Sequence, residues 1–407
     1  MKKLERDGLA LTPFAADFKE NPHAILKPIR QKCPVQRDEG LGRTFLFDFD
    51  DVTAALISTG TTNTTDPRCS SPGTFAATVL LPENEAQRDN LPFWLNDGER
   101  HARFRFLIRT GLNRKIVKVA EVRVIEIIDE LLDKIEADEF DLIVDFAGKL
   151  PGLIIAELLG VDRADQEQFR EWAESIADGY FDVTGDAEKV ARGQAASLKV
   201  DAYLKNVIRD RKHNPTDDLI SSFHKIEYKG EKYTEKDIRS LCSLMLTAGN
   251  STTVDALGNC VKNLLDHPDQ LQILKENPDL IDLAIEELIR FDAPTVNINR
   301  VALEDIEIQG SKIEKGDSLS LCVATANRDP KQFSNPDKLD IQRGRIRHHG
   351  WGGGLHFCPG AVLARVELRH AILALFKKFP NLELSAKGHE YQPVPQFRGL
   401  KHLWVKA

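Results

Sequence analysis

The segment 235–267 constrains the fold more than any other part of the sequence. It has the pattern of one long helix, and because its middle is largely apolar it must be buried on most sides. Helical periodicity also marks the segments 116–137, 139–160, 163–180, 187–212 and 279–293, with breaks at Pro151, Pro215 and Pro268. These patterns predict a mainly α-helical protein built around a central helix.

Strand-like patterns are short and lie outside this helical region. Segment 301–308 followed by Gln309-Gly310 and 311–315 indicates a hairpin, and 319–322 indicates a following strand. Segments 43–48 and 399–406 are expected to join small sheets at the two ends of the chain. Strands and helices do not alternate regularly, and no repeat is present. We predict one domain over residues 1–407, mainly α with small β-sheets.

Composition excludes several classes of protein. The chain has 407 residues and a formal net charge of −8, which argues against nucleic-acid binding by bulk electrostatics. None of its six cysteines forms a CxxC pair, so we expect free thiols in a reducing compartment. No window approaches the roughly 18 to 20 apolar residues that cross a bilayer. We expect a cytoplasmic protein without a membrane anchor.

The segment 60–98 is the least regular part of the sequence. It is rich in Thr, Ser, Pro and Asn, yet it contains the apolar run 75–81. A loop this long inside a compact domain is usually functional. The segment is expected to form a lid over a binding pocket, and a disordered insertion is the alternative.

A glycine-rich loop around one cysteine carries the clearest chemical pattern. Residues 351–360 read Trp-Gly-Gly-Gly-Leu-His-Phe-Cys-Pro-Gly, and an amphipathic helix, predicted at 359–378, follows at once. The glycines permit tight turns and the close approach of a flat ligand. A helix N-terminus favours a thiolate at Cys358, and a thiolate in an apolar loop suits a haem iron. The alternative is a buried structural cysteine beside a glycine turn.

This string resembles the haem-binding signature of the cytochrome P450 family, F-G-x-G-x-H-x-C-x-G. Trp351 stands at the usual phenylalanine position, and the remaining signature positions hold Gly352, Gly354, His356, Cys358 and Gly360. The resemblance implies the cytochrome P450 fold, with a long central helix over a haem b and the cysteine loop beneath it. It implies that Cys358 is the axial iron ligand and that dioxygen is a co-substrate.

Two further motifs appear in the family's order. Glu287 and Arg290 resemble the ExxR motif, and at a spacing of i, i+3 their side chains share a helix face. With Arg343 they resemble the family's buried Glu-Arg-Arg network, which is structural. His101 and Arg105 resemble the HxxxR motif.

The resemblance also implies how the haem propionates are held. Two anionic groups buried in protein require paired cations, and the family positions for them are occupied by His101, Arg105, Arg300 and His356. Taken singly, each of these side chains would be an ordinary surface charge.

The central helix matches the family's oxygen-binding helix with one departure. Ala248 and Gly249 match the positions that leave room for dioxygen at a local bulge, and Thr252 matches the threonine that relays protons. Alternatively, Thr252 hydrogen-bonds the carbonyl four residues earlier. The family usually has an acid directly before this threonine, whereas this chain has Ser251, which can relay a proton but cannot store one. Asp255 is a possible substitute acid, although we expect it to face away from the haem.

A second departure is Pro359, directly after the cysteine. It removes one possible N–H donor near the sulfur, and fewer donors leave a thiolate more electron-rich.

The implied function is a haem-thiolate monooxygenase, a monomer, that inserts one oxygen atom from O2 into a small or medium organic substrate. The chain has no flavin or iron–sulfur motif, so electrons are expected from a separate ferredoxin and ferredoxin reductase. A basic docking face for them is predicted at Arg103, Arg109, Arg114, Arg343, Arg345, Arg347, His348, His349, Arg365 and Arg369. The predicted pocket comprises Leu244, Thr247, Ala248, Val296, Asn297, Ile298 and Phe397, with Thr247 and Asn297 as polar groups.

Two alternatives remain open. One is a haem-thiolate enzyme of other chemistry, peroxygenase or nitric-oxide reductase-like, which the missing acid at Ser251 would suit. The other is a haem-based binder or sensor without enzymatic activity.

Overall fold

The computed structural model describes residue 18, residues 20–82, residues 85 and 88, and residues 91–180, 186–392 and 397–407. Its α-helices are α1 (Pro22–Lys32), α2 (Phe49–Ile57), α3 (Gly98–Gly111), α4 (Arg114–Leu132), α5 (Leu150–Leu158), α6 (Gln166–Tyr180), α7 (Ala187–His213), α8 (Leu219–Phe223), α9 (Glu235–Asp266), α10 (Pro268–Glu276), α11 (Ile281–Phe291), α12 (Val323–Ala326) and α13 (Ala361–Lys378). Its strands are β1 (Val35–Asp38), β2 (Arg43–Leu46), β3 (Asn63–Thr64), β4 (Glu139–Asp141), β5 (Glu227–Tyr228), β6 (Glu231–Lys232), β7 (Asn297–Ala302), β8 (Ile306–Ile308), β9 (Ser311–Ile313), β10 (Ser318–Cys322), β11 (Glu383–Tyr391) and β12 (Leu400–Lys406). The predicted class, mainly α with small sheets, is confirmed.

The central helix α9 begins at a capping box. The hydroxyl of Thr234 accepts the N–H of Asp237, whose carboxylate accepts the N–H of Thr234. Residues 253–261 are buried without exception, and α4, α5, α11 and α13 contribute to the same core. The helix ends where His267 and Pro268 start α10. Among the described residues, no helix has the length and apolarity of a membrane span.

Two sheets flank the helices. One has the order β1-β2-β10-β7-β3, in which β10 is parallel to β2 and antiparallel to β7. The other has the order β11-β12-β4, and β5-β6 and β8-β9 form separate two-stranded sheets. The first sheet positions β7, which carries Arg300 opposite Leu319 of β10. The second places β12 against α9.

Several predicted boundaries were wrong, for reasons that depend on distant contacts. The stretch 139–160 is not one helix: β4 pairs with β12, a π-helical turn follows at Ile143–Ala147, and Pro151 lies in the first turn of α5 rather than ending a helix. The strand predicted at 301–308 is divided between β7 and β8, and only β8 forms the hairpin with β9.

The segment 60–98 is more structured than the predicted loop. It contains β3, short 3-10 turns at Pro67–Cys69 and Phe93–Leu95, and a π-helical turn at Ala76–Leu80. Residues 83, 84, 86, 87, 89 and 90 of this segment lie outside the described residues.

Candidate active site

The loop that carries Cys358 lies against α2. The N–H of Cys358 donates to the carbonyl of Trp351 over 2.8 Å and closes the loop. Gly352 and Gly354 have φ angles of +71° and +59°, which favour glycine. A Cβ atom on Gly354 would also overlap the carbonyl oxygen of Leu56. These glycines therefore fix a tight loop that a larger residue would disrupt.

Cys358 lies further from its helix than the sequence predicted. Residues 359 and 360 form a turn, so α13 begins at Ala361 with Gly360 as its N-cap, and the predicted start at 359 was wrong. Burial raises the pKa of the Cys358 thiol, and the N–H groups of Gly360 and Ala361 and the charge of Arg105 only partly oppose this rise. The helix terminus alone therefore does not produce a thiolate. Coordination of Cys358 to a metal ion would do so, because a metal-bound thiol is deprotonated.

The four residues predicted to hold anionic groups lie together. The rings of His101 and His356 stack with their centroids 4.1 Å apart. Burial, together with the positive charges of His356, Arg105 and Arg300, lowers the pKa of His101 to about 4 against the opposing charge of Asp97. Three separate parts of the chain, α3, β7 and the cysteine loop, thus deliver basic groups to one place.

Arg300 is almost completely buried within this cluster. Its Nε donates to the hydroxyl of Thr59 over 2.9 Å, and one terminal nitrogen donates to the carbonyl of Asn299 over 2.7 Å. Burial lowers its pKa to about 10, against the opposing charge of Asp97. No carboxylate of the described residues lies within ion-pair distance of this guanidinium. Because a buried charge without a counter-charge is costly, the position calls for an anion.

Asp97 is a member of this cluster that the sequence did not reveal. Its carboxylate accepts a hydrogen bond from Nε2 of His356 over 2.7 Å and from the N–H of Thr65 over 3.0 Å, and it also accepts the hydroxyl of Thr64. Burial raises the pKa of Asp97, but these hydrogen bonds outweigh burial and hold it well below its usual range. Asp97 occupies the N-cap position of α3 yet makes no capping bond. An acid four residues before His101 was the available clue.

The charge of the cluster fits the edge of a haem. Even with a neutral His101, the two guanidinium groups of Arg105 and Arg300 outnumber the one carboxylate that the described residues place in this cluster, Asp97. Two propionate carboxylates would neutralise this excess and satisfy the unpaired donors. The residues present therefore fit the group, with Cys358 available to the iron.

Below the loop, Glu287 joins two arginines in a buried network. Arg290 donates to both oxygens of Glu287 over 2.7 and 2.8 Å, and Nε of Arg343 lies 3.1 Å from each oxygen. Arg290 also donates to the carbonyls of Asn327 and Pro336 over 2.8 and 2.9 Å. The network ties α11 to the segment that leads into the cysteine loop.

One face of α9 is open although the helix is otherwise buried. Ala248 is exposed in the middle of the helix, and Leu244, Thr247, Ser251 and Thr252 are half-buried. These positions lie on one helix face, since they are separated by three or four residues. The face is the candidate distal wall of the site.

The details of this face differ from expectation at two positions. Thr252 hydrogen-bonds the carbonyl of Ala248 over 2.8 Å, the second of the two alternatives, and α9 shows no bulge. A Cβ atom on Gly249 would lie 2.8 Å from Cδ1 of Ile155, so this glycine permits close packing of α9 on α5. Ser251 places its hydroxyl in a buried position, where no described residue hydrogen-bonds it.

The remaining pocket residues come from β7 and the C-terminal segment. Val296 is buried, Ile298 is half-buried, and Phe397 forms an isolated bridge with Thr295. The side-chain oxygen of Asn297 is buried and has no partner among the described residues. The hydroxyl of Thr247 donates to the carbonyls of residues 243 and 244, so it can offer the pocket an acceptor rather than a donor.

The predicted basic face is smaller than the sequence indicated. His348 and His349 are buried and do not belong to a surface. Four of the predicted arginines form ion pairs with carboxylates: Arg103, Arg343, Arg365 and Arg369. Arg109, Arg114, Arg345 and Arg347 are exposed, and no ion pair joins them to another described residue. Leu355 and Phe357, beside Cys358, are also exposed.

A mainly helical fold with a long central helix, a glycine-rich cysteine loop and a cluster of basic groups around the buried Arg300 together indicate a haem-thiolate protein. The family model named Cytochrome P450 matches residues 186–396, about half of the chain. The chain is 34% identical over 406 residues to a biotin biosynthesis cytochrome P450 of Bacillus subtilis (strain 168), covering 98% of this chain and 99% of that protein. The chain belongs to the cytochrome P450 family and is a cytochrome P450 monooxygenase, with a haem-thiolate cofactor and dioxygen as co-substrate.

Two further comparisons, one with a sequence and one with a solved structure, extend over almost the whole chain. A polyketide biosynthesis cytochrome P450, PksS of Bacillus subtilis (strain 168), is 32% identical over 394 residues, with 95% of both chains covered. The crystal structure of P450BioI in complex with hexadec-9Z-enoic acid ligated acyl carrier protein matches with a TM-score of 0.83 and 32% identity, over 97% of this chain and 100% of that chain. The predicted cytochrome P450 fold is confirmed.

Proposed function

We propose that residues 1–407 form one domain that inserts an oxygen atom from O2 into a small or medium, mostly apolar organic molecule. The observation that carries the site assignment is the cluster of His101, Arg105, Arg300 and His356, in which two guanidinium groups lie near a single carboxylate, Asp97, so that anionic propionates would complete its charge balance. Cys358 is the iron ligand, and Gly352, Gly354 and Gly360 shape its loop. The haem, once bound, activates dioxygen for transfer to the substrate.

The protein's own groups position the reaction. Ala248 leaves space on the open face of α9, and Thr252 presents a hydroxyl there for proton relay, with Ser251 beside it. Gly249 lets α9 approach α5. Glu287, Arg290 and Arg343 hold the cysteine loop in place and do not contact the substrate.

Spectroscopy of the haem tests the ligand assignment. We expect the reduced carbon-monoxide complex to have a strongly red-shifted Soret band, and Cys358→Ser to abolish that shift. Cys69→Ser, at an exposed cysteine, is the matched control and should leave the band unchanged. A red-shifted band in Cys358→Ser would refute the assignment.

The electron donor is proposed to be a ferredoxin with its reductase. The charge of Arg109 lowers the pKa of Arg105, and the charge of Arg105 lowers the pKa of Cys358. Arg109 therefore lies on the same side of the molecule as the proposed iron ligand Cys358. Exposed Phe357 and Leu355 add an apolar centre to this face. Arg109→Glu should slow reduction by a ferredoxin and flatten its salt dependence, whereas Arg209→Glu on α7 should not. Equal rates of reduction by ferredoxin for Arg109→Glu and Arg209→Glu would refute the assignment of this docking face.

The substrate is proposed to be largely apolar, with Asn297 as the polar contact. A library screened for shifts of the ferric Soret band identifies the class. Because the similar P450BioI was crystallised with an acyl-loaded carrier protein, the library should include a free fatty acid and the same acid on a carrier protein. The protein is proposed to act as a cytoplasmic monomer.

Because Ser251 replaces the expected acid, peroxygenase or nitric-oxide reductase-like chemistry is the alternative to monooxygenation, and one experiment compares the three. Product formation is measured with reduced ferredoxin and O2, with hydrogen peroxide alone, and with nitric oxide. Product only with ferredoxin and O2 supports the monooxygenase; peroxide-driven product or nitric-oxide reduction supports the alternative.

A further inference from the structure

The hydroxyl of Ser251 and the carboxyl of Asp255 are both buried on α9. Asp255 follows Ser251 by four residues and Thr252 by three, which places all three on one side of the helix. No hydrogen bond joins Asp255 to Ser251: the Asp255 carboxyl packs against Gly399 and accepts a bond from Gln392. The Ser251 oxygen lacks a hydrogen-bond partner in the described part of the chain.

Among the described residues, no cation forms an ion pair with the carboxyl of Asp255. Asp255 is only 3% exposed, and its one hydrogen bond to a described residue is a long 3.4 Å contact from Nε2 of Gln392. The nearest cation along the packed C-terminal segment, Arg398, is engaged by Asp292 over 2.7 Å and by the hydroxyl of Tyr391 over 2.7 Å. An unpaired buried carboxylic acid is expected to keep its proton.

Gly399 makes room for this acid. A Cβ atom at 399 would overlap the carboxyl group of Asp255. The same segment carries Phe397 and pairs through it with Thr295, next to the predicted pocket strand. The acid therefore lies at the junction of α9 and the candidate pocket wall.

We propose that Asp255 is the proton store for oxygen activation and replaces the acid that is missing at position 251. The carboxylic acid of Asp255 gives its proton to the hydroxyl oxygen of Ser251 through a bridging water. Ser251 releases its own proton to the hydroxyl of Thr252, Thr252 passes its own proton on into the distal pocket, and the Asp255 carboxylate regains a proton from solvent. No electrons move in these steps. Asp255 acts through the two hydroxyls and does not contact the reacting atoms.

Burial alone raises the pKa of Asp255 to about 7. A general acid is most efficient when its pKa lies near the pH at which the enzyme works. The inference rests on the proposed roles of Thr252 and Ser251. It differs from them because it assigns the source of the proton rather than its route.

The test uses the haem-loaded protein with electrons from a photoreduced flavin, and O2 itself is the probe. Asp255→Asn should slow oxygen consumption by about tenfold or more and enlarge its solvent deuterium isotope effect. Adding Ser251→Asp to this variant should restore the rate to within about twofold. Asp266→Asn, at an exposed acid on the same helix, is the matched control and should behave as the wild type.

A second readout does not depend on turnover. Difference infrared spectra should show one protonated carboxyl that titrates near neutral pH in the wild type and in Asp266→Asn, and is lost in Asp255→Asn. Ser251→Ala leaves the acid in place, so it should keep this band yet slow oxygen consumption. Should Asp255→Asn fail to fold, Ser251→Ala alone decides.

Unchanged oxygen consumption and isotope effect in Asp255→Asn or Ser251→Ala would overturn the proposal, as would absence of rescue by Ser251→Asp. Failure of the haem assignment would appear differently, because the red-shifted carbon-monoxide band would then be missing from the wild type as well.

Discussion

Replacing Asp255 with asparagine should change how stability depends on pH. The substitution keeps the size of the side chain but removes its proton equilibrium. In the folded protein burial raises the pKa of Asp255 from 3.8 to about 7, whereas in the unfolded chain the carboxyl titrates at its ordinary value. The folded state therefore holds the proton more tightly than the unfolded state does.

The sign of the effect follows from this difference. Below the unfolded pKa of 3.8 both states are protonated, and the full contribution to stability is present. It is lost as the pH rises through the folded pKa of about 7, because ionising the buried group then costs free energy. A pKa difference of about three corresponds to about 4 kcal/mol, of which about 2.5 kcal/mol falls between about pH 5 and pH 8.

Urea unfolding of the haem-loaded protein at several pH values measures this. The free energy of unfolding of the wild type should fall by about 2.5 kcal/mol more than that of Asp255→Asn between about pH 5 and pH 8. Asp266→Asn removes an exposed carboxyl from the same helix and should parallel the wild type. Parallel curves for the wild type and Asp255→Asn would show that the buried acid does not titrate in this range, and would refute the reasoning.

Three further substitutions test other parts of the site. Glu287→Gln should lower the free energy of unfolding by about 3–5 kcal/mol in urea titrations, because it leaves two arginines without a counter-charge. The same substitution at the half-buried neighbour, Glu286→Gln, should cost clearly less. Equal losses in the two variants would contradict this prediction. Pro359→Leu adds an N–H near the sulfur and should raise the reduction potential, so an unchanged or lower value in a redox titration would count against the idea. Ser251→Asp alone should speed oxygen activation and reduce peroxide release; no change would indicate that the missing acid is already compensated.

The sequence predicted the parts of the fold that depend on local patterns. The capping box at Thr234 and the apolar middle of α9 are local, so the central helix was located to within one residue at its end. β4 was missed because Glu139–Asp141 becomes a strand only by pairing with β12, more than 250 residues away. Long-range pairing of short segments leaves little trace in the local pattern.

The candidate site divides in the same way. Cys358 and the basic residues that line the cluster could be assigned because they occur in a recognisable order. Asp97 could not, since its partner His356 is distant in sequence and its position at the start of α3 has an ordinary explanation as a cap. Gly249 was interpreted from the family pattern as space for dioxygen, whereas the structure shows contact with Ile155. A glycine in a helix indicates a close approach but not which neighbour makes it.

A second buried acid, Glu367, makes it possible to test whether burial of an acid is enough to supply the proton or whether its position on the helix also matters. It lies on α13, its pKa is raised by burial to about 8, and one of its oxygens has no hydrogen-bond partner among the described residues. It shares a buried position and a raised pKa with Asp255, but the residues one turn away on its helix, Leu363, Ala364, His370 and Ala371, carry no hydroxyl. Glu367→Gln should therefore alter the pH dependence of unfolding in urea as Asp255→Asn does.

Oxygen consumption distinguishes the two acids. Because no hydroxyl stands one helical turn from Glu367, Glu367→Gln should leave the rate and the solvent isotope effect at the values of the wild type. A slowed rate with an enlarged isotope effect would mean that a buried acid elsewhere in the fold also suffices. The spacing of four residues between Ser251 and Asp255 would then lose its significance, and the assignment of Asp255 as the proton store would fail with it.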